Sequence, residues 1–137
     1  MATPLSPDAD AFLRSHTWGI LATGRRDGSP QQSMIGYVVD DDGRIVVSIK
    51  SYTAKWKNAR RQPRVSLAVA DGHAHLVIYG EAEAIEADPD RADLTADVFA
   101  GLSGAERPDP ATMIAALDEQ QRTVLRITPT SATFIGV

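Results

Sequence analysis

Apolar positions in this chain come in short runs broken by turn residues, a spacing that predicts strands in hairpin succession. Trp18-Gly19-Ile20-Leu21-Ala22-Thr23 reads as a buried strand, and Arg25-Arg26-Asp27-Gly28 supplies the Asp-Gly turn of a hairpin. Residues 31–39 form the return strand, closed by the turn Asp40-Asp41-Asp42-Gly43, and 44–50 follow as another strand. After a turn at Ser51-Tyr52-Thr53, residues 54–61 read as a short helix. Pro63 is the entry to a β-rich run, 64–70, and Asp71-Gly72 turns the chain into a long strand over 73–86. Helices flank this array. Ser6 as cap and Pro7 in the first turn start one over 6–15, with Ala11 and Phe12 opening its apolar face. Asp88-Pro89 opens another to about Phe99, a loop covers 100–108, and Asp109-Pro110 repeats the start signal for a helix with Met113, Ile114 and Leu117 on one face. Residues 123–128 and 132–137 close the chain as two strands. Six or seven short antiparallel strands with helices inserted late predict a mainly β domain, a small barrel spanning 1–137.

Composition narrows the partners more than the fold. The 137 residues carry a net charge of -4, which opposes binding to a nucleic-acid backbone. No cysteine is present, so disulfides and thiolate chemistry are excluded. The first residues lack the basic and apolar regions of a signal peptide, and no apolar run is long enough to span a bilayer. A cytoplasmic protein is expected.

Against that acidic balance, residues 43–70 hold seven basic groups and no acid: Arg44, Lys50, Lys55, Lys57, Arg60, Arg61 and Arg64. Acids normally occupy the first turn of a helix, where they complement the partial positive charge. Here that turn carries Lys55 and Lys57, with Lys50 just ahead. Free N–H groups at a helix start with lysines around them make a phosphate cradle. The alternative is a solvated basic helix paired with acids elsewhere.

Other side chains give weaker signals. His73 and His75 share a strand face, but no third ligand is clustered with them, so no metal site is expected. His16 reads as a surface or capping group. Trp56 reads as packing onto the barrel in preference to covering a ligand. Tyr37 and Tyr79 are candidate proton donors to a substrate, set against buried tyrosines with satisfied hydroxyls. The Asp40-Asp41-Asp42 run offers too few oxygens for calcium, and Ser29 and Ser33 lack a placed base.

Three blocks in order resemble the pyridoxamine-5′-phosphate-oxidase-like split β-barrel superfamily. They are Gly19-Ile20-Leu21-Ala22-Thr23 with 27–33, then 43–49 with 55–65, then Val77-Ile78-Tyr79-Gly80-Glu81-Ala82, all within residues 19–82. Within it the chain looks most like the deazaflavin-dependent reductases that use coenzyme F420, common in actinobacteria. The resemblance implies a cofactor in a groove between two barrels of a homodimer. It implies Lys55 and Asn58 at the cofactor phosphate, with Ser48, Ile49, Lys50 and Lys57 nearby. Gln32, Ser33 and Met34 would lie along the ring edge, and His75 would reach the cofactor of the opposite subunit. Arg60, Arg61 and Arg64 would meet the coenzyme's acidic oligoglutamate tail. The implied activity is hydride transfer to an unsaturated or carbonyl-containing small molecule. Alternatives are an FMN-dependent reductase or oxidase, a non-catalytic flavin-storage barrel, and an anion-binding regulatory module. Two departures bear on this. The chain ends Thr130-Ser131-Ala132-Thr133-Phe134-Ile135-Gly136-Val137, without the Arg-x-His type motif of the vitamin B6 oxidases. Gln32 stands where those enzymes carry a basic residue near the flavin.

Overall fold

The computed structural model of the protein describes residues 4–136. Helix α1 spans Pro7–Arg14, and the Ser6 hydroxyl caps it by accepting from the Ala9 N–H at 3.2 Å. Then follow β1 (Trp18–Gly24), β2 (Pro30–Gly36), β3 (Val38–Val39) and β4 (Ile45–Lys50). The basic helix α2 (Ala54–Arg61) leads into β5 (Arg64–Asp71) and β6 (Ala74–Ile85). Helices α3 (Asp90–Ser103) and α4 (Pro110–Glu119) precede the closing strand β7 (Arg122–Ile135). The strands make one antiparallel sheet in the order β2-β1-β5-β6-β7-β4-β3, curled into a half-barrel.

Alternation along the strands decides what the curl encloses. Leu21, Ile35, Leu67, Ile78, Leu125 and Ile127 point to the concave side, where Leu13 of α1 and Trp56 of α2 join the same buried cluster. Strand β4 buries residues on both faces. Ile45, Val47 and Ile49 enter the barrel core, whereas Val46 meets Val98 and Val124 in a second cluster under α3. Ser48 and Lys50 share the α3-facing side of β4 with Val46, since side chains repeat every two residues.

Four expectations change in detail. Strand β1 is buried on one face only: Trp18 is exposed, as its outward alternation requires. The strand expected over 31–39 breaks at Tyr37, where the chain passes from one edge of the sheet to the other and the Tyr37 N–H donates to the Thr17 carbonyl. Helix α3 runs on to Ser103 because Leu102 still packs on the second cluster, and Gly104 ends it with φ 70°. The two closing strands are one. Pro129 does not stop β7, because the register shifts there: Tyr79 pairs with Ser131 and Gly80 with Pro129, leaving Thr130 as the extra residue of a bulge. The Thr130 hydroxyl donates to the Tyr79 carbonyl at 3.1 Å. Gly80 allows this close approach, since a Cβ there would stand 2.6 Å from the Thr128 carbonyl oxygen. No helix among the described residues is long and apolar enough to cross a membrane.

Candidate functional site

The seven basic residues of the 43–70 block have different fates. Arg44 is held by Asp40 and Asp42 at 3.0 and 3.2 Å, and Arg60 faces Glu86 at 3.8 Å. Arg61 donates to the Gly24 carbonyl and to the Asn58 side chain. Lys50, Lys55, Lys57 and Arg64 form no ion pair among the described residues. The paired-helix alternative therefore accounts for Arg44 and Arg60 but leaves the lysines around the start of α2 unpaired.

Two of those lysines converge on a cleft of about 310 Å³. One wall is polar: Ser48 and Lys50 from the end of β4, Thr53 and Lys55 from the start of α2, and Arg122 from the start of β7. The other wall is apolar: Trp18, Met34 and Ile35 from the β1–β2 hairpin, and Val98, Phe99 and Leu102 from α3. No carboxylate among the described residues lines it. Helix α2 begins without a side-chain cap, because the Thr53 hydroxyl donates to the Lys50 carbonyl at 2.7 Å and so cannot point into the first turn. With no acid in that turn either, the opening N–H groups keep their partial positive charge. A phosphate fits this donor set, and a planar ring fits the aromatic and methionine wall beside it.

Of the residues singled out from the sequence, Met34, Ser48, Ile49, Lys50 and Lys55 line the cleft. The others lie elsewhere. Asn58 is buried over β1, donating to the Thr23 hydroxyl at 3.2 Å and accepting from Arg61. Residues three apart on a helix still differ by about 60° around its axis, and that offset turns Asn58 onto β1 while Lys55 stands at the rim. Ser33 faces the concave side and accepts from the Gln31 amide at 3.0 Å, whereas Gln32 faces outward. Lys57 is exposed on the solvent side of α2. His75 sits on the convex face, its Nδ1 3.0 Å from the His73 carbonyl oxygen.

Tyr37 requires a correction. It is completely buried, and its hydroxyl donates to the Leu13 carbonyl at 2.7 Å. Burial pushes its pKa above the ordinary 10.0. A phenol so enclosed has neither access nor acidity for protonating a substrate, and its place is structural. Trp56 is likewise buried in the core. His16 does cap, with Nδ1 2.7 Å from the Phe12 carbonyl oxygen and Nε2 3.1 Å from Asp71. Both ring nitrogens face acceptors and a neutral ring can donate from one only, so the pKa rises, first from the Phe12 hydrogen bond and then from that to Asp71.

Reasoning from the sequence missed Trp18, Thr53, Phe99, Leu102 and above all Arg122. Only the register of β4 against β7 brings Arg122 opposite Lys50. The sole local hint was a basic residue at the first position of a strand.

The convex face of the sheet adds a second feature. Trp18, Met34, Tyr79 and Ile135 are 57%, 62%, 50% and 44% exposed. Met34 pairs with Ile20, Ile20 with Ala68, and Ala68 with Val77, so these four form one outward row across four strands. Trp18 and Met34 belong both to this face and to the cleft.

A family model described as pyridoxamine 5′-phosphate oxidase matches residues 5–136. Among solved structures, a conserved hypothetical protein from Mycobacterium tuberculosis is similar with a TM-score of 0.81 and 26% identity, over 99% of this chain and 88% of that one. An F420 reductase gives a TM-score of 0.72 at 23% identity, over 94% of this chain and 98% of the other. HutZ, a heme storage protein from Vibrio cholerae, gives 0.68 at 20%, over 96% and 95%. The last two likenesses show the fold alone.

Proposed function

This chain belongs to the pyridoxamine 5′-phosphate oxidase family, and from that premise we propose that it is a deazaflavin-dependent oxidoreductase acting on an unsaturated or carbonyl-containing small molecule. The observation that carries the reading is the cleft in which Lys50, Lys55 and Arg122 converge, with no carboxylate among the described residues, directly beside Trp18, Met34 and Phe99. The similar fold of an F420 reductase supports the choice of deazaflavin.

In this reading Lys55 and the opening N–H groups of α2 hold the cofactor phosphate through charge-assisted hydrogen bonds. Met34 and Trp18 wall the ring, and the apolar side from Ile35 to Leu102 excludes water from it. A bound reduced deazaflavin supplies hydride transfer, while the protein supplies orientation and a dry surface. Among the described residues, no ionisable side chain lines the cleft besides the cations.

The proposed assembly is a homodimer packed through the convex face. A second copy there would cover Trp18, Met34, Tyr79 and Ile135 and complete the cleft wall that Trp18 and Met34 begin. His75 is exposed on the same face, and in this reading it would approach a cofactor across the interface.

Fluorescence titration of the purified protein with coenzyme F420, FMN and haem in parallel tests the reading. Micromolar or tighter binding of the deazaflavin with weak binding of the others is expected. Preference for FMN moves the protein to the flavin alternative, and preference for haem to a storage role like that named for HutZ. Lys55→Ala should weaken deazaflavin binding by about 1.5–3 kcal/mol. Unchanged affinity in that variant would remove Lys55 from the phosphate.

A further inference from the structure

Strands β4 and β7 set Lys50 directly opposite Arg122, with both side chains on the α3-facing side of the sheet. Two like charges in register oppose folding. The chain has acids in excess, 18 against 14 basic residues, and uses them on other arginines. Arg126, two positions along the same face, is matched by Glu83 at 2.8 Å, and the buried Arg91 by Asp88 and Asp118 at 2.8 Å each. Among the described residues Arg122 has only neutral partners. Its Nε donates to the Gln120 side chain at 2.9 Å, its Nη1 reaches the Ser48 hydroxyl at 3.4 Å, and its guanidinium lies 5.5 Å from the Phe99 ring centroid. Lys50 likewise has its ammonium 5.9 Å from the Tyr52 ring centroid and no acid partner among the described residues. The guanidinium is thus held in place by a side-chain amide, a hydroxyl and a ring. Its Nη2 group has no acceptor among the described residues.

We propose that Arg122, Lys50 and Ser48 form a second oxyanion subsite in the cleft, separate from the one at Lys55 and the start of α2, which takes a carboxylate or phosphate of the bound ligand. An oxyanion between the two cations turns a repulsive pair into two charge-assisted contacts, and the planar fork of Arg122 suits a two-oxygen group. The apolar wall close by, Phe99 included, requires that anion to be attached to a largely planar or apolar body. This deepens the proposed function and rests on its placement of the ligand in this cleft. The anion has two sources of the same chemistry: an acidic tail on the cofactor or an acidic substrate.

The test needs no cofactor. Inorganic phosphate is titrated into the purified protein at low ionic strength and followed by thermal melting, with Lys55→Ala, Arg122→Gln and the double variant alongside. Phosphate should raise the wild-type Tm saturably, and Lys55→Ala should keep a residual response. Arg122→Gln should weaken the phosphate midpoint on the order of tenfold, and the double variant should lose the response. Arg122→Lys keeps the charge without the fork and should fall between, which separates recognition from loss of fold. A wild type indifferent to phosphate, or a response abolished by Lys55→Ala alone, overturns the second subsite. So does an Arg122→Gln midpoint equal to that of the wild type. Success here with no binding of F420 or FMN would leave the subsite standing and remove the cofactor reading. If F420 does bind, weaker binding to Arg122→Gln assigns the subsite to the cofactor, and equal binding assigns it to the substrate.

Discussion

Replacing Tyr37 by Phe separates a structural hydroxyl from a chemical one. The ring keeps its place in the core, so no sizeable cavity opens, and only the hydrogen bond to the Leu13 carbonyl is lost. Leu13 is itself fully buried, and its carbonyl keeps only a 3.4 Å contact from the His16 N–H. Leaving a buried acceptor so poorly served costs about 1–3 kcal/mol, and the residual contact argues for about 1.5 kcal/mol. For a chain of 137 residues the unfolding entropy near Tm is about 0.3 kcal/mol/K, which makes the expected fall about 5 °C. Differential scanning calorimetry at neutral pH measures it. A second arm follows from the raised pKa. The folded protein holds the Tyr37 proton above pH 10.0 whereas the unfolded chain releases it, so the wild-type advantage is whole below pH 10.0 and narrows above it. A Tyr37→Phe protein with unchanged Tm, a gap that stays constant above pH 10, or cofactor affinity lost at full stability would each refute the structural assignment.

Three further outcomes are expected. The imidazolium of His16, bonded to Phe12 and Asp71, has a pKa raised above 6.5, so its stabilising contribution is complete below that pH and disappears as pH rises through the folded value. Urea midpoints between pH 5.5 and 9 should show this decline in the wild type and not in His16→Gln. Gly80→Ala forces a Cβ against the Thr128 carbonyl at the β6–β7 bulge and should destabilise by about 1–3 kcal/mol, read by the same melts. A Cβ tolerated without loss would mean that the strands separate there. Trp18→Glu places a charge on the convex face and should shift the mass by light scattering from dimer to monomer with the fold retained by circular dichroism; a wild-type monomer at micromolar concentration would sink the assembly instead.

Local chemistry made most of the fold legible before any coordinates. Asp-Gly turns, a serine and a proline at the start of α1, and a helix over 54–61 are all decided by neighbouring residues, and the helix has the expected bounds. The run of basic residues without an acid pointed to the cleft because a charge imbalance is visible in one dimension. Partner choice was not visible. Lys55 and Asn58 look alike as neighbours on a helix, yet one stands on the rim of the cleft and the other is taken by Thr23 and Arg61. The break at Tyr37 and the bulge at Thr130 were missed because each answers to a strand far along the chain.

The sequence by itself thus determined the antiparallel, mainly β character, the helix starts and the uncompensated positive charge, because each follows from contacts within a few residues. Only the tertiary structure decided which cations face one another. The register of β4 against β7 brings Arg122 opposite Lys50, and the curl of the sheet brings Trp18 and Met34 to the same cleft. Register and curl depend on how apolar faces pack across the whole sheet, and no local pattern carries that information.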